Sequence, residues 1–308
     1  MKRTGMVVWM VVMALVAISA PPRVVAGDPP SAEVKLGLVQ GLFRDVQPAM
    51  MQALARPFRE LMQKQTGYTG DVEICADALT LAEKLKSKQV QLGVFHGFEF
   101  AWAQKKCADL IPLIITMPPG DKVQAFIVVG HESTVTSLDD LKDETVVIAR
   151  GAKGHSLAFL DKSREGFAKT VARPLNRANL TAEDVLNGIA GGEFAAALVD
   201  STSLEGYKTL QPGAFKQLKV LLKSEEFPAA VVAYRKGGLT DEQIVNIRTG
   251  MINAQKTNSG KMLMTMWNLK GFRVPPEDFQ THLDTILKAY PVPELKPLVS
   301  ISPVSRQK

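Results

Sequence analysis

The sequence predicts an α/β protein of two lobes, each a mostly parallel sheet flanked by helices, joined by two crossings of the chain. Three observations carry this. Residues 71–102 read as strand, helix, strand within about thirty residues, the spacing of a βαβ unit with parallel neighbours. A second α/β block restarts at Ser137 after the first has run its course. Two apolar strands, 126–129 and 231–234, stand where the chain would leave and re-enter the first block, which makes a hinge and a cleft.

The chain of 308 residues is long enough for two domains, and its 46% apolar and 22% charged residues are ordinary for a globular protein. The start reads as a secretory signal. Lys2 and Arg3 precede an apolar run over 6–20, and Val24-Val25-Ala26 supplies small residues before Gly27. Its removal takes Lys2, Arg3 and Arg23 with it and lowers the formal charge from +6 to about +3. That balance, with no basic stripe interleaved with aromatics, argues against nucleic acid. The expected organisation is a signal peptide over 1–26, first lobe over 27–130, second lobe over 131–228, and a return to the first lobe over 229–308. The localisation is periplasmic or otherwise exported.

The first strand spans 34–39 and runs into Gln40-Gly41-Leu42-Phe43. The helix after it contains Pro57, best placed in a first turn where a missing N–H costs nothing, and Gly67 closes it as a C-cap. In the βαβ unit, strand 72–75 is followed by a helix with Leu79, Leu81, Ala82 and Leu85 apolar and charged residues between them. Strand 92–95 then turns at His96-Gly97 into another helix, and strands at 111–116 and 125–129 flank a Pro-Gly loop. In the second block a short helix at 137–143 precedes strand 145–149, a glycine-bearing turn over 150–156 and a helix over 156–169. Thr181 with Asp184 three residues on marks a helix start, and strand 195–199 ends at Asp200. Strands at 218–222 and 229–234 follow, then helices over 240–256, 260–269 and 276–289. Export permits disulfides, but Cys75 and Cys107 fall at opposite ends of the sheet, roughly 13 Å apart by helix length, where a bridge needs Cα atoms within about 7 Å. Two separate thiols are expected.

Several stretches carry a resemblance. Arg56-Pro57-Phe58-Arg59-Glu60-Leu61 with Thr66-Gly67-Tyr68, the segment 85–92, Ser137-Leu138-Asp139-Asp140-Leu141-Lys142, the segment 183–200 and Leu269-Lys270-Gly271-Phe272 occur in the order of a known pattern. Through them the chain resembles periplasmic solute-binding proteins of the phosphate/phosphonate type, from ABC importers. The resemblance covers about 34–290 and implies the class II two-lobe fold and no enzymatic activity. It implies capture of a small anion and delivery to a permease, by a monomer with no cofactor. The sequence departs from the pattern at Lys153-Gly154-His155-Ser156, where a Ser/Thr-rich turn is usual, and at His96, where a tyrosine is common. It departs also at Ala182, in a histidine's place, and at Ala195, in an aspartate's, while Glu183 keeps the acidic position.

In an open parallel sheet ligands bind at the carboxyl ends of the strands. The expected ligand-binding residues are Gln40, Phe43, Asp77, His96, Gly97, Lys153, Gly154, His155, Ser156, Glu183 and Asp200. The turn over 150–156 opens a helix, whose N-terminal N–H groups favour an anion, and Gly151 and Gly154 let backbone approach it. His96 and His155 would face each other across the cleft and, with Cys75, Asp77, Glu99 or Asp200, could instead hold a metal or chelate. No diagnostic ligand spacing supports that, so no metal site is expected. Phe43, Phe98 and Trp102 could wall the pocket. A sensor kinase in place of a permease is the alternative partner. A hydrolase on the same fold would use Cys75 or Ser156, but no G-x-S-x-G, H-E-x-x-H or phosphate-loop motif occurs.

Overall fold

The computed structural model describes residues 33–43, 46–120 and 122–293. The expected signal peptide and the proline-rich tail lie outside them. No helix among the described residues is long and apolar enough to cross a membrane.

The first lobe begins with β1 (Leu36–Val39), the turn Gln40–Phe43 and α1 (Pro48–Thr66). Pro48, not Pro57, occupies the first helical turn, and Pro57 lies inside the helix. The positional rule was sound but chose the wrong proline. The βαβ unit follows as β2 (Val72–Cys75), α2 (Ala78–Lys86), β3 (Leu92–Phe95) and α3 (Gly97–Lys106), and then β4 (Leu110–Met117). Helix α2 buries Ala78, Leu81, Ala82 and Leu85, the i, i+3, i+4, i+7 stripe. Strand β3, Leu-Gly-Val-Phe, is buried throughout, as a central strand covered on both faces must be.

The second lobe holds β5 (Ala125–Gly130), β6 (Thr145–Ala149), α4 (Gly154–Ser163), β7 (Arg173–Arg177), α5 (Ala182–Ala190), β8 (Ala196–Asp200), α6 (Ser201–Leu210), α7 (Pro212–Phe215) and β9 (Leu218–Lys223). The chain returns through β10 (Val231–Arg235), α8 (Asp241–Ala254), α9 (Asn258–Met266), β11 (Gly271–Arg273) and α10 (Phe279–Ala289). The two sheets order as β11-β4-β10-β3-β1-β2 and β7-β6-β8-β5-β9. Strand β5 therefore belongs to the second sheet, although the expected boundary at 130 assigned it to the first. The first crossing lies between β4 and β5, the second between β9 and β10.

Each crossing delivers a strand that runs against its neighbours. Strand β5 is antiparallel to β8 and β9, and β10 is antiparallel to β3 and β4. The chain enters each lobe from the hinge end, so its first strand there points away from the cleft while its neighbours point toward it. The crossings bond to each other: Phe227 N–H donates to Val123 C=O at 2.7 Å, and Ser224 N–H to Ala125 C=O at 2.9 Å.

The strands that periodicity did not find are edges. Strand β7, Arg-Pro-Leu-Asn-Arg, is mostly exposed and carries a proline and two arginines, the devices that blunt a sheet edge and erase the apolar signal. Helix α4 stops at Ser163 rather than 169. Both cysteines are free thiols, as expected. At the start of α5, Thr181 accepts from Asp184 N–H while Asp184 accepts from Thr181 N–H, a complete capping box. Thr181→Ala should cost about 1 kcal/mol in urea denaturation at unchanged m-value.

Candidate functional site

Three helices of ten residues each start at one place between the lobes: α3 after β3, α4 after β6 and α6 after β8. Each begins where a strand ends, so each turns its N-terminus toward the cleft, although Ser201 N–H of α6 is taken by Gln124 C=O at 2.9 Å. Their capping residues are His96, Lys153 and Asp200, and all three line one cavity of about 360 Å³. Only Asp200 caps with its side chain, accepting from Ser203 N–H at 2.7 Å. Lys153 Nζ stands 3.8 Å from Asp200 Oδ2, so the carboxylate is offset by a neighbouring ammonium.

The two imidazoles are the unusual feature. His96, from the first lobe, is 9% exposed, and His155, from the second, is 4% exposed. Both line the cavity, and Nε2 of each is buried without a hydrogen-bond partner. Burial of a polar atom without a partner costs free energy unless something binds there. Burial disfavours the imidazolium and pulls both pKa values down to about 4. The Lys153 ammonium adds to this, while the Gly41 backbone at His96 and the Asp200 carboxylate at His155 work against it. Behind His96, burial pushes the Glu99 carboxyl up to about 7, although the His96 backbone N–H helps to keep it charged.

Close packing fixes the helix starts. A Cβ on Gly97 would collide with the carbonyl of Pro228 in the second crossing, and one on Gly154 would come within 3.3 Å of the Phe98 ring. Phe98 stands edge-on to Trp102 (centroids 4.9 Å apart) and to Phe227 (5.9 Å). Trp102 donates its indole N–H to Tyr290 C=O at 2.8 Å. Tyr290 donates its hydroxyl to Glu225 Oε2 at 2.6 Å, and Lys162 of α4 pairs with Glu225 Oε1 at 2.5 Å. Burial works against the Glu225 charge, but the Lys162 and Tyr290 hydrogen bonds outweigh it and leave its pKa below the usual carboxylate value.

Of the expected residues, Phe43, His96, Gly97, Lys153, His155 and Asp200 line the cavity. Gly154 and Ser156 lie just behind its wall. Gly154 backs onto Phe98, and Ser156 is fully buried with an unpartnered Oγ. The other three lie off the cavity. Gln40 is exposed beside the lining residue Gly41, and Asp77 is exposed and caps α2 by accepting from Thr80 N–H at 2.7 Å. Glu183 is exposed on α5, where it accepts from Gln211 Nε2 at 3.3 Å. Trp102 packs behind Phe98 rather than on the wall. No group of three or more His, Cys, Asp or Glu among the described residues could hold a metal ion.

Sequence reasoning missed Ser201 and Thr202, although the rule that found Asp200 points to whatever follows a strand end. It also missed Met266, Trp267 and Leu269, which come from the end of α9 and the turn after it and carried no signal of ligand contact.

The sequence model of a family described as ABC transporter, phosphonate, periplasmic substrate-binding protein matches residues 41–278. No curated protein matches the sequence. Among solved structures, a Xanthomonas citri protein bound to ATP superposes with TM-score 0.58 at 15% identity, covering 84% of this chain and 97% of that one. A binding-protein component of an ABC phosphonate transporter from Pseudomonas aeruginosa gives 0.54 at 17% identity, covering 83% and 85%. PhnD1 from Prochlorococcus marinus in complex with methylphosphonate gives 0.55 at 14% identity, covering 83% and 97%. At these identities the superpositions establish the fold, a two-lobe periplasmic binding protein.

Proposed function

The chain belongs to the family of periplasmic substrate-binding proteins of ABC phosphonate transporters, transport components rather than enzymes, and on that premise we propose that it captures an oxyanion, a phosphonate or a chemical relative, between its lobes for delivery to an ABC permease. One observation carries this reading: two buried imidazoles, one per lobe, line the same cavity beside the starts of α3 and α4, and Nε2 of each has no hydrogen-bond partner. A bound oxyanion would accept from the helix N–H groups and from both rings. It would touch both lobes at once, which is the differential contact that closure of a hinged protein requires. Lys153 adds positive charge, and the Asp200 carboxylate is already engaged by Ser203 N–H and Lys153.

The test is thermal denaturation of the purified protein with phosphate, methylphosphonate and sulfate. At about 100 times Kd a ligand should add about 2.7 kcal/mol of stability, a shift of a few degrees at this size. His155→Ala should weaken binding roughly 10- to 100-fold, the worth of a hydrogen bond to a charged group. No shift with any oxyanion would defeat the proposal.

A further inference from the structure

The cavity is lined by residues of two kinds. His96, Lys153, His155 and Thr202 offer it hydrogen-bond donors, beside the Asp200 carboxylate that Lys153 and Ser203 N–H already engage. Leu42, Phe43, Val46, Met266, Trp267 and Leu269, all from the first lobe, give it an apolar wall in which Asn268 is the polar neighbour. That wall is continuous with the first lobe's core. Phe43 belongs to the core, and Leu42, Val46, Trp267 and Leu269 pack against it.

The wall is also held in place. The Trp267 ring stacks on Phe58 at 5.4 Å between centroids, and Lys270 N–H donates to Met117 C=O at 2.7 Å where β11 joins β4. Asn268, with φ of 51°, supplies the left-handed residue that turns the chain between Trp267 and Leu269. A bare tetrahedral anion can use only the donors of such a cavity and leaves the apolar wall in water. A volume of about 360 Å³ falls within the range of sites for small organic molecules.

We infer that the ligand is an organic oxyanion carrying an apolar substituent, a short alkyl chain or one aromatic ring, whose charged head sits at the histidines while its tail lies along Leu42, Trp267 and Leu269. The inference rests on the proposed function and narrows it to a substrate class.

The experiment is titration calorimetry of the full chain with inorganic phosphate and with methyl-, butyl- and phenylphosphonate, with tryptophan emission recorded in parallel. Each methylene buried on the wall should tighten binding about fourfold, up to about sixtyfold from methyl to butyl. Butyl- and phenylphosphonate should also change the Trp267 emission more than phosphate does, a difference lost in Trp267→Phe. Met266→Glu places a carboxylate at the rim of the wall, at a side chain 44% exposed, so folding should survive while the butyl-to-methyl ratio collapses. Equal or falling affinity along the series overturns this inference and leaves oxyanion capture intact. Failure of every probe, phosphate included, overturns both. Binding of butanol as tight as that of butylphosphonate would show that the charged head contributes nothing, and would overturn both as well.

Discussion

Phe98→Ala should cost about 3–5 kcal/mol of stability, the usual loss on emptying a buried phenylalanine site. Phe98 is 3% exposed and sits on α3 of the first lobe, yet it belongs to a core cluster built mainly from second-lobe residues such as Ile127, Ile148 and Leu198. Its edge-on contacts with Trp102 and Phe227 link α3 to the residue that follows α10 and to the second crossing. The loss should therefore fall on the joint between the lobes. Urea unfolding should show a lower midpoint, and separation into two transitions would show that the lobes had become independent. A loss below about 1 kcal/mol would mean that the ring is not a structural link between them.

Stability of the ligand-free protein should fall as pH is lowered from 6.5 toward 4.5. His96 and His155 have folded pKa values of about 4, below the unfolded value of about 6.5, so in this window the unfolded chain holds the protons. Each contributes stability that is complete above the unfolded pKa and lost as pH falls toward the folded one. Glu99 acts oppositely. With its folded pKa raised to about 7, it holds a proton that the unfolded chain releases above about 4.5, so its contribution declines as pH rises. Two imidazoles against one carboxyl leave a net gradient on the order of 1.4 kcal/mol per pH unit. Denaturant midpoints from pH 4.5 to 7.5 should trace it, and the double substitution His96→Gln with His155→Gln should reverse its sign. Binding of an oxyanion favours the imidazolium, so the same groups should make affinity tighten as pH falls through this range. A profile that instead falls as pH rises, the slope Glu99 alone would give, would mean that neither ring is held neutral by burial.

The fold was legible because its central elements are regular. The all-apolar β3 and the amphipathic α2 announced themselves by period: β3 has the bounds expected, and α2 buries three of its four expected apolar residues, with Ala78 in place of Leu79. Edge strands β7 and β11 carry charge, proline or glycine and no such period, so they were invisible. The assignment of Ala125–Gly130 failed for another reason, because an apolar strand reads the same in either sheet and only its pairing decides. The donors of the cavity were readable from the rule about strand ends, which found His96 and Asp200, and from the glycine turn that opens a helix, supported by the family resemblance, which found Lys153 and His155. The rule about strand ends over-reached at Asp77, whose strand β2 lies at the sheet edge, away from the cavity. Of the apolar wall only Phe43 was expected; the rest was beyond reach because Leu42 and Phe43 share a wall with Trp267 only through folding. These residues stand on either side of the second lobe in sequence, and no local pattern connects them.

The order of strands in the first sheet has a consequence for how the chain can be cut and how it can assemble. Strand β10 sits between β3 and β4, so the middle of that sheet is made of residues that follow the whole second lobe. Residues 33–117 alone would leave β3 and β4 with facing edges and nothing between them, an exposed template for pairing with other chains. The second sheet has no such dependence, because its five strands are contiguous over 125–223. Once they have paired, β9 and β5 lie side by side, and the two ends of this long excursion are already together. Closing a loop costs less when its interior is folded, so the second lobe acts as the clasp that lets the first sheet shut.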